Sequence, residues 1–237
     1  MDLKEEEAIG GNPESHWYYI AKARAIRSLL RNSNAAAMLD VGAGSGVFAR
    51  MLIDEGAVRS AVCVDPNYRD DHLLPDPTRP IAFKREVGET QVDLVTMLDV
   101  IEHVDDDNGL IADYVKKVPP GAEFLISVPA FQFLWSGHDV FLEHRRRYTS
   151  NQLAETVRGA GLEVIQTRYF YGVLFPAVAA MRIADRLLNR NAPQTSLKSA
   201  PQWLNTALVA VHEVERRLLF PFNRLAGVTC FCLARKP

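Results

Sequence analysis

The feature that most narrows what this chain can fold into is the run Met38-Leu39-Asp40-Val41-Gly42-Ala43-Gly44-Ser45-Gly46. Apolar residues end in a turn of small ones, and a helical pattern from Val47 to about Glu55 follows, closed by Gly56. A strand that feeds a helix through glycines must pack beside further strands to bury both faces. The neighbours are present. Ser60 to Val64 is a second strand pattern closed by Asp65-Pro66, and Ile81 to Val87, Val92 to Leu98 and Glu123 to Val128 are three more. A helical pattern from Asp105 to Val118 lies between the last two, stopped by Pro119-Pro120-Gly121. Asn67 to Pro80, rich in Pro and Asp, reads as loop. Strands alternating with helices predict parallel βαβ units, hence an α/β, doubly wound, Rossmann-like sheet.

The rest of the chain breaks this rhythm. Thr149 caps a helix ended by Gly161, Leu162 to Phe170 is a sixth strand, and Val228 to Ala234 a seventh. Between them, residues 172–224 hold two helical patterns, Phe175 to Arg190 and Trp203 to Leu219, joined by the polar Asn191–Pro201. This reads as a helical insertion, packed on the sheet, within one domain over residues 1–237. Residues 1–34 are a polar lead-in followed by a helix from about Ser15, its N-cap, to Arg31.

Composition excludes several classes. With 27 Lys+Arg against 29 Asp+Glu the chain is near neutral, so it has no global attraction for nucleic acid. At 48% hydrophobic it can bury a core, unlike a disordered chain. The start MDLKEEE is acidic, unlike a signal peptide, and no apolar stretch reaches the roughly 20 residues of a membrane span. Cys63, Cys230 and Cys232 lie in strand patterns and read as buried, reduced thiols. A cytoplasmic location follows as the expectation.

The glycine turn carries the first chemistry. Its glycines let backbone approach a ligand, and the helix start offers free N–H groups. A dinucleotide fingerprint needs a third Gly or Ala where Val47 stands. Asp40, just before the turn, repels a pyrophosphate and attracts an ammonium group. Asp65, about 20 residues on, is placed to accept hydrogen bonds from ribose hydroxyls. A cationic amino-acid head joined to a nucleoside describes S-adenosyl-L-methionine.

On these residues the sequence resembles the class I S-adenosylmethionine-dependent methyltransferases. Asp40-Val41-Gly42-Ala43-Gly44-Ser45-Gly46 resembles their first motif, Asp65 their ribose-binding acid, and Val92 to Val104 their fourth strand with the loop after it. The resemblance covers roughly residues 35 to 170 and the last strand. It implies a seven-stranded sheet with its final strand antiparallel, and a cofactor set formed by Asp40, Gly42, Ala43, Gly44, Gly46, Asp65, Pro66, Leu98 and Asp99. Many members also carry an acid after the third strand for the adenine amino group. Here the run is Arg85-Glu86-Val87-Gly88-Glu89, and Glu86, Glu89 or backbone at Val87–Gly88 stand as candidates.

Asp99, Glu102 and His103 leave the fourth strand at the cofactor end. Three readings stand: helix capping and packing, a general base in His103 or Glu102, or a divalent metal site completed by His138 or His144. The last pattern is similar to metal-dependent 2′-O-methyltransferases of small RNA and some quinone-biosynthesis O-methyltransferases, although those have Glu at the first position. No metal set is assigned. The loop after the fifth strand, Ser127 to Asp139, turns from aromatic to polar and suits a pocket wall. His103, His138 and Asp139 are the base candidates. His144, Arg146 and Tyr148, from His144-Arg145-Arg146-Arg147-Tyr148-Thr149, join Trp17 and Trp135 as substrate-binding candidates. Adjacent arginines point in different directions, so at most one or two of the three can face a site. The alternative is that they pair with nearby acids such as Glu143 and Glu155. The loop, that basic run and His16-Trp17-Tyr18-Tyr19 resemble a bacterial methyltransferase subgroup in which such an N-terminal helix lies over the cofactor as a lid.

The function expected is methyl transfer from S-adenosyl-L-methionine to an oxygen of a small-molecule, glycan or lipid-linked acceptor, with base assistance. The alternatives are an NAD-dependent oxidoreductase, against which Val47 argues, and a non-catalytic S-adenosylmethionine-binding protein. Partners expected are the acceptor alone or a second copy, as monomer or homodimer, with a peripheral membrane contact through the apolar insertion and its arginines. No nucleic acid is expected.

Overall fold

A computed structural model describes residues 12–33, 35–74, 76–188 and 200–237. Its centre is the strand β1 (Ala37–Val41), which pairs in parallel with β2 (Ser60–Val64) on one side and β5 (Leu94–Leu98) on the other. Outward from β2 come β4 (Ile81–Lys84), parallel, and β3 (His72–Leu73), antiparallel. Outward from β5 comes β6 (Glu123–Pro129), parallel, then β8 (Thr229–Arg235) and β7 (Glu163–Phe170). The sheet order is β3-β4-β2-β1-β5-β6-β8-β7, with β8 antiparallel to both of its neighbours.

The order reverses between β1 and β5, so the crevice outside their C-terminal ends is the site an open α/β sheet offers a ligand. Both sheet faces are buried, which is why these strands read as continuous apolar runs rather than alternating ones. On one face Met38, Leu94 and Phe231 pack with Tyr19 and Ile26 of α1 (Trp17–Leu29) and Phe48 and Leu52 of α2 (Val47–Asp54). On the other, Leu39, Val95 and Ile126 pack with Ile111 of α3 (Asp107–Lys117) and Leu153 and Val157 of α5 (Ser150–Gly159). The short α4 (Gly137–Phe141) follows β6, and α6 (Phe175–Leu187) and α7 (Gln202–Leu218) form the insertion between β7 and β8.

Several boundaries differ from the sequence reading. Among the described residues the sheet has eight strands, not seven, because His72–Leu73 adds an edge pair to β4 inside the segment read as loop. Two residues are too few to show a period, and the His72 ring stacked on Phe83 at 4.6 Å is a tertiary contact. β4 ends at Lys84 instead of Val87, since the Arg85 N–H turns away to the Asp71 carboxylate at 2.9 Å. The N-cap of α1 is His16, not Ser15, which belongs to a preceding 3₁₀ turn, Pro13–Ser15. Within α6 no side chain is fully buried, and Met181, Ile183 and Leu187 are exposed, although the run was expected to pack on the sheet. The three cysteines are buried and free. Most of the lead-in and of the polar link between α6 and α7 lie outside the described residues. No described helix is long and apolar enough to cross a membrane.

Candidate active site

The glycine turn hangs from the C-terminal end of β1 by Gly42 and Ala43 N–H groups donating to the Val64 carbonyl of β2 (2.7 and 3.3 Å). Gly42, Gly44 and Gly46 all have positive φ, 64°, 55° and 74°. Only glycine takes three such positions in five residues without strain. At Gly42 a side chain meets a second obstacle, since a Cβ would lie 2.7 Å from a Val100 methyl.

Beneath the turn, Asp40 sits on the sheet face that α1 and α2 cover. Its cross-strand partner Thr96 donates a hydroxyl to it at 2.6 Å. Burial pushes the Asp40 carboxyl up to about 6, and the Thr96 hydrogen bond only partly offsets this. A buried carboxylate so placed is better stabilised by a cation than by a second anion. At the end of β2, Asp65 accepts from the Asn67 N–H (2.9 Å) and the Gly44 N–H (3.4 Å), and Tyr68 donates to the Gly44 carbonyl at 2.6 Å. Asp65 thereby ties the turn to the second strand. Pro66 begins the turn beyond it, and Leu98 is buried beside α1 and α2.

Asp99, one residue past β5, has φ 55°, a left-handed value unusual for a residue with a side chain. The kink aims its carboxylate at α1. There the fully buried Lys22 ammonium pairs with it, the Tyr18 hydroxyl lies at 3.4 Å, and Ser127 donates at 3.1 Å. Burial, the largest single influence, would raise the Asp99 carboxyl; the Lys22 charge and hydrogen bond, joined by the Ser127 hydrogen bond, together overcome it and hold the group below the usual range. Sequence reasoning missed Lys22. The available signal was a lysine three residues after Tyr19 and four before Ile26, on the apolar stripe of α1.

Beyond Asp99 a 3₁₀ turn, Ile101–His103, brings Glu102 and His103 under a cavity of about 240 Å³. Tyr18, Tyr171, Leu174, Val178 and Met181 give it apolar walls, with Trp17 stacked on His212 at one side (5.4 Å between ring centroids). Its polar lining comes from Asp99, Glu102, His103, His138, His144, Arg147 and Arg182. The His103 and His144 rings are 4.8 Å apart, and those of His138 and His144 6.4 Å. Glu102 is fully buried, and neither carboxylate oxygen has a hydrogen-bond partner among the described residues. Burial, and then the Asp99 charge, raise its carboxyl well above the usual range.

The remaining candidates separate. Asp139, expected as a base, is fully buried with both oxygens engaged. Arg147 donates to them at 2.6 and 3.1 Å, the Ser136 N–H donates at 2.8 Å, and His144 Nδ1 lies at 3.0 Å. Burial acts to raise it, but the His144 hydrogen bond and the Arg147 charge prevail and hold it far below the usual range. It forms a capping box with Ser136 at the start of α4, and Ser136-x-x-Asp139 is the sequence signal for that role. Arg146, expected at the substrate, turns outward to the carbonyls of Val104 and Asp105 and toward Asp107. Arg147 is the arginine that turns inward. The Tyr148 hydroxyl donates to Asp107 at 2.7 Å on the far side of the sheet, away from the cavity. Trp135 is half-buried and is not part of the cavity lining. Arg145 and Arg146 pair with Asp105 and Asp107 rather than with Glu143 or Glu155.

A doubly wound sheet with its last strand antiparallel, a three-glycine turn at the switch point and carboxylates ending the first two strands define a class I S-adenosylmethionine-dependent methyltransferase. The chain belongs to the family described as methyltransferase domain, whose model matches residues 16–167. It is 24% identical over 175 residues, 70% of this chain and 67% of the relative, to a "Probable S-adenosylmethionine-dependent methyltransferase" of Mycolicibacterium smegmatis. A match to an "Uncharacterized methyltransferase" of Mycobacteroides abscessus is 28% identical but spans only 45% of each chain. Among solved structures, a methyltransferase in complex with the Trm112 activator of Haloferax volcanii matches with a TM-score of 0.58. It is 16% identical, over 100% of this chain and 95% of that one. An S-adenosylmethionine-dependent methyltransferase of Archaeoglobus fulgidus matches with 0.52 at 15% identity, over 99% and 98%. Haemonchus contortus phosphoethanolamine N-methyltransferase 2, solved with S-adenosyl-L-methionine, matches with 0.53 at 17% identity, over 90% of this chain and 52% of that chain. The cofactor is S-adenosyl-L-methionine.

Proposed function

We propose that the chain methylates an oxygen of an acceptor held in the cavity beside Asp99, and that the acceptor has an apolar body and a hydroxyl. One observation carries this reading: apolar walls from α1 and the insertion close over a floor of three imidazoles and a buried carboxyl. An amine acceptor would sit badly next to Arg147, whereas a hydroxyl can give its proton to an imidazole. A small molecule, a glycan bearing an aromatic group or a lipid-linked sugar all meet this description.

The fit of the cofactor rests on the turn and the acids. Asp40 would meet the cationic methionyl end, the backbone of Gly42, Ala43, Gly44 and Gly46 would lie against it, and Asp65 with Pro66 beyond would hold the ribose. Leu98 and Asp99 would bound the site toward the acceptor. The bound cofactor supplies an electrophilic methyl group. The residues of this chain do the rest. Trp17 and Tyr18 on α1, with Leu174, Val178 and Met181 of the insertion, exclude water and align the acceptor. His138 or His103 receives the acceptor proton. Asp139 is a positioning residue, holding His144 and Arg147. Arg146, Tyr148 and Trp135 have no part in this reading.

The test is methyl transfer from labelled S-adenosylmethionine to a panel of hydroxyl, amine and thiol acceptors with apolar bodies. Label in hydroxyl products, lost in His138→Ala with cofactor affinity kept, is the expected result. Label confined to amine or thiol products would refute the oxygen assignment.

A further inference from the structure

Glu102, His103 and His144 each present a ligand atom, and these atoms lie within 4.8 Å of one another. We infer that these three side chains bind one divalent transition-metal cation at the floor of the cavity. The inference deepens the proposed function, since the ion would hold the acceptor oxygen. Its own test needs no acceptor.

The spacing comes first. Three ligands on one ion with bonds of about 2.1 Å stand roughly 3.4–3.6 Å from one another. From separations of at most 4.8 Å the three side chains close on an ion by moving less than about 1 Å each, a shift that rotation within one rotamer well supplies. Glu102 supplies the independent observation. Its carboxylate is fully buried, it faces this cavity, and neither oxygen has a partner among the described residues. Buried polar atoms without partners are costly, and a cation between this carboxyl and two imidazoles would satisfy them.

The surroundings of His144 match a metal ligand. Asp139 already accepts from Arg147 and from the Ser136 N–H, and His144 Nδ1 lies 3.0 Å from its Oδ1, the geometry of an imidazole that donates through Nδ1. That leaves the Nε2 lone pair for an ion. Asp139 is itself fixed by Arg147 and by the Ser136 N–H. A carboxylate that orients a metal-binding imidazole through its other nitrogen is the usual supporting arrangement. Asp99, the first acid of the D-x-x-E-H run, is not in the set, because Lys22, Tyr18 and Ser127 occupy its oxygens.

The donor set selects the ion. Two imidazoles and one carboxylate suit Zn²⁺, Co²⁺, Mn²⁺ or Fe²⁺, whereas Mg²⁺ and Ca²⁺ favour oxygen. Three protein ligands leave the cavity side of the ion open to an oxygen of the acceptor or water. With His103 on the ion, His138 is the imidazole left to take the proton.

The experiment is a titration of the chelator-treated full chain with Co²⁺, read by visible absorption, with Zn²⁺ competition and a Mg²⁺ control by calorimetry. One Co²⁺ per chain, displaced by Zn²⁺ and not by Mg²⁺, is expected. Glu102→Gln and His144→Ala should each weaken binding at least about tenfold, and Asp139→Asn about ten- to a hundredfold. S-adenosylhomocysteine binding by each variant reports that the fold survives. A chain that binds no stoichiometric Co²⁺, or binds it equally with Glu102→Gln and His144→Ala in folded protein, overturns the inference. Because no acceptor is present, either result stands apart from whether oxygen is the atom methylated.

Discussion

Asp40→Asn should make the free protein more stable at neutral pH while weakening its hold on the cofactor. Burial raises the Asp40 carboxyl from 3.8 to about 6. A raised folded-state value means that the native chain holds this proton more tightly than the unfolded one. Stability from this group is therefore full below about pH 4 and declines as pH rises to about 6. At pH 7.5 the ionised group costs about 3 kcal/mol, two units at about 1.4 kcal/mol each. Asparagine keeps an oxygen to accept from Thr96, but its buried amide loses part of the gain. A net stabilisation of about 2 kcal/mol, or about 4–8 °C in Tm for a chain of this size, is expected at pH 7.5. At pH 4, where Asp40 is protonated in the folded chain, only the amide penalty remains, and the variant should be the less stable of the two by about 1 kcal/mol. Cofactor binding should respond in the opposite sense. Loss of one hydrogen bond to a charged group, about 1.5–3 kcal/mol, means roughly ten- to a hundredfold weaker binding of S-adenosylmethionine. Wild-type affinity should itself rise as pH passes through about 6. The assays are thermal melts at both pH values and calorimetric titration. A variant that is destabilised at pH 7.5, or binds the cofactor as well as wild type, refutes the assignment of Asp40 as a buried charge awaiting a cation.

Other perturbations test the frame of the site. Lys22→Met should cost about 3 kcal/mol in a urea melt, since it leaves Asp99 without its buried partner. Because Lys22 holds Asp99 below the usual range, this cost should appear above about pH 4 and fade as pH falls through the lowered value. Arg147→Met should destabilise by about 3–5 kcal/mol by stranding Asp139, whereas Arg146→Met should cost less than about 1 kcal/mol; equal effects would refute the division between them. Gly56 and Gly42 have nearly the same φ, 66° and 64°, but of the two only Gly42 has a neighbour within 4 Å of where a Cβ would stand. Gly56→Ala should therefore cost about 1–2 kcal/mol and Gly42→Ala at least about 1 kcal/mol more in the same melt.

What the sequence disclosed depended on how far along the chain the deciding interaction lies. The turn, its glycines and Asp40 form one local unit, and Asp65 is placed by the next strand in a βαβ repeat. Periodicity and turn chemistry reach that far, so the sheet and the glycine turn were legible. The cavity beyond Asp99 is built otherwise. Arg146 and Arg147 are identical in type and adjacent, and what sends one outward and the other inward is the Asp139 carboxylate, set by a capping box on another short helix. Glu102 and His144 are 42 positions apart, from 144 minus 102, and meet because the loop after β6 crosses the turn after β5, where Arg145 N–H donates to the Glu102 carbonyl at 2.8 Å. Lys22 meets Asp99 only because α1 lies across the end of β5. A hydrophobic pattern registers such a lysine as an error on an apolar stripe, which is itself information. A charged residue that breaks a local rule needs a partner somewhere, and here the partner is Asp99, just past the end of β5. The local inconsistencies at Lys22, Glu102 and Asp40, three buried ionisable side chains at the C-terminal ends of β1 and β5 or across them, are thus where the sequence departs from what packing alone would choose.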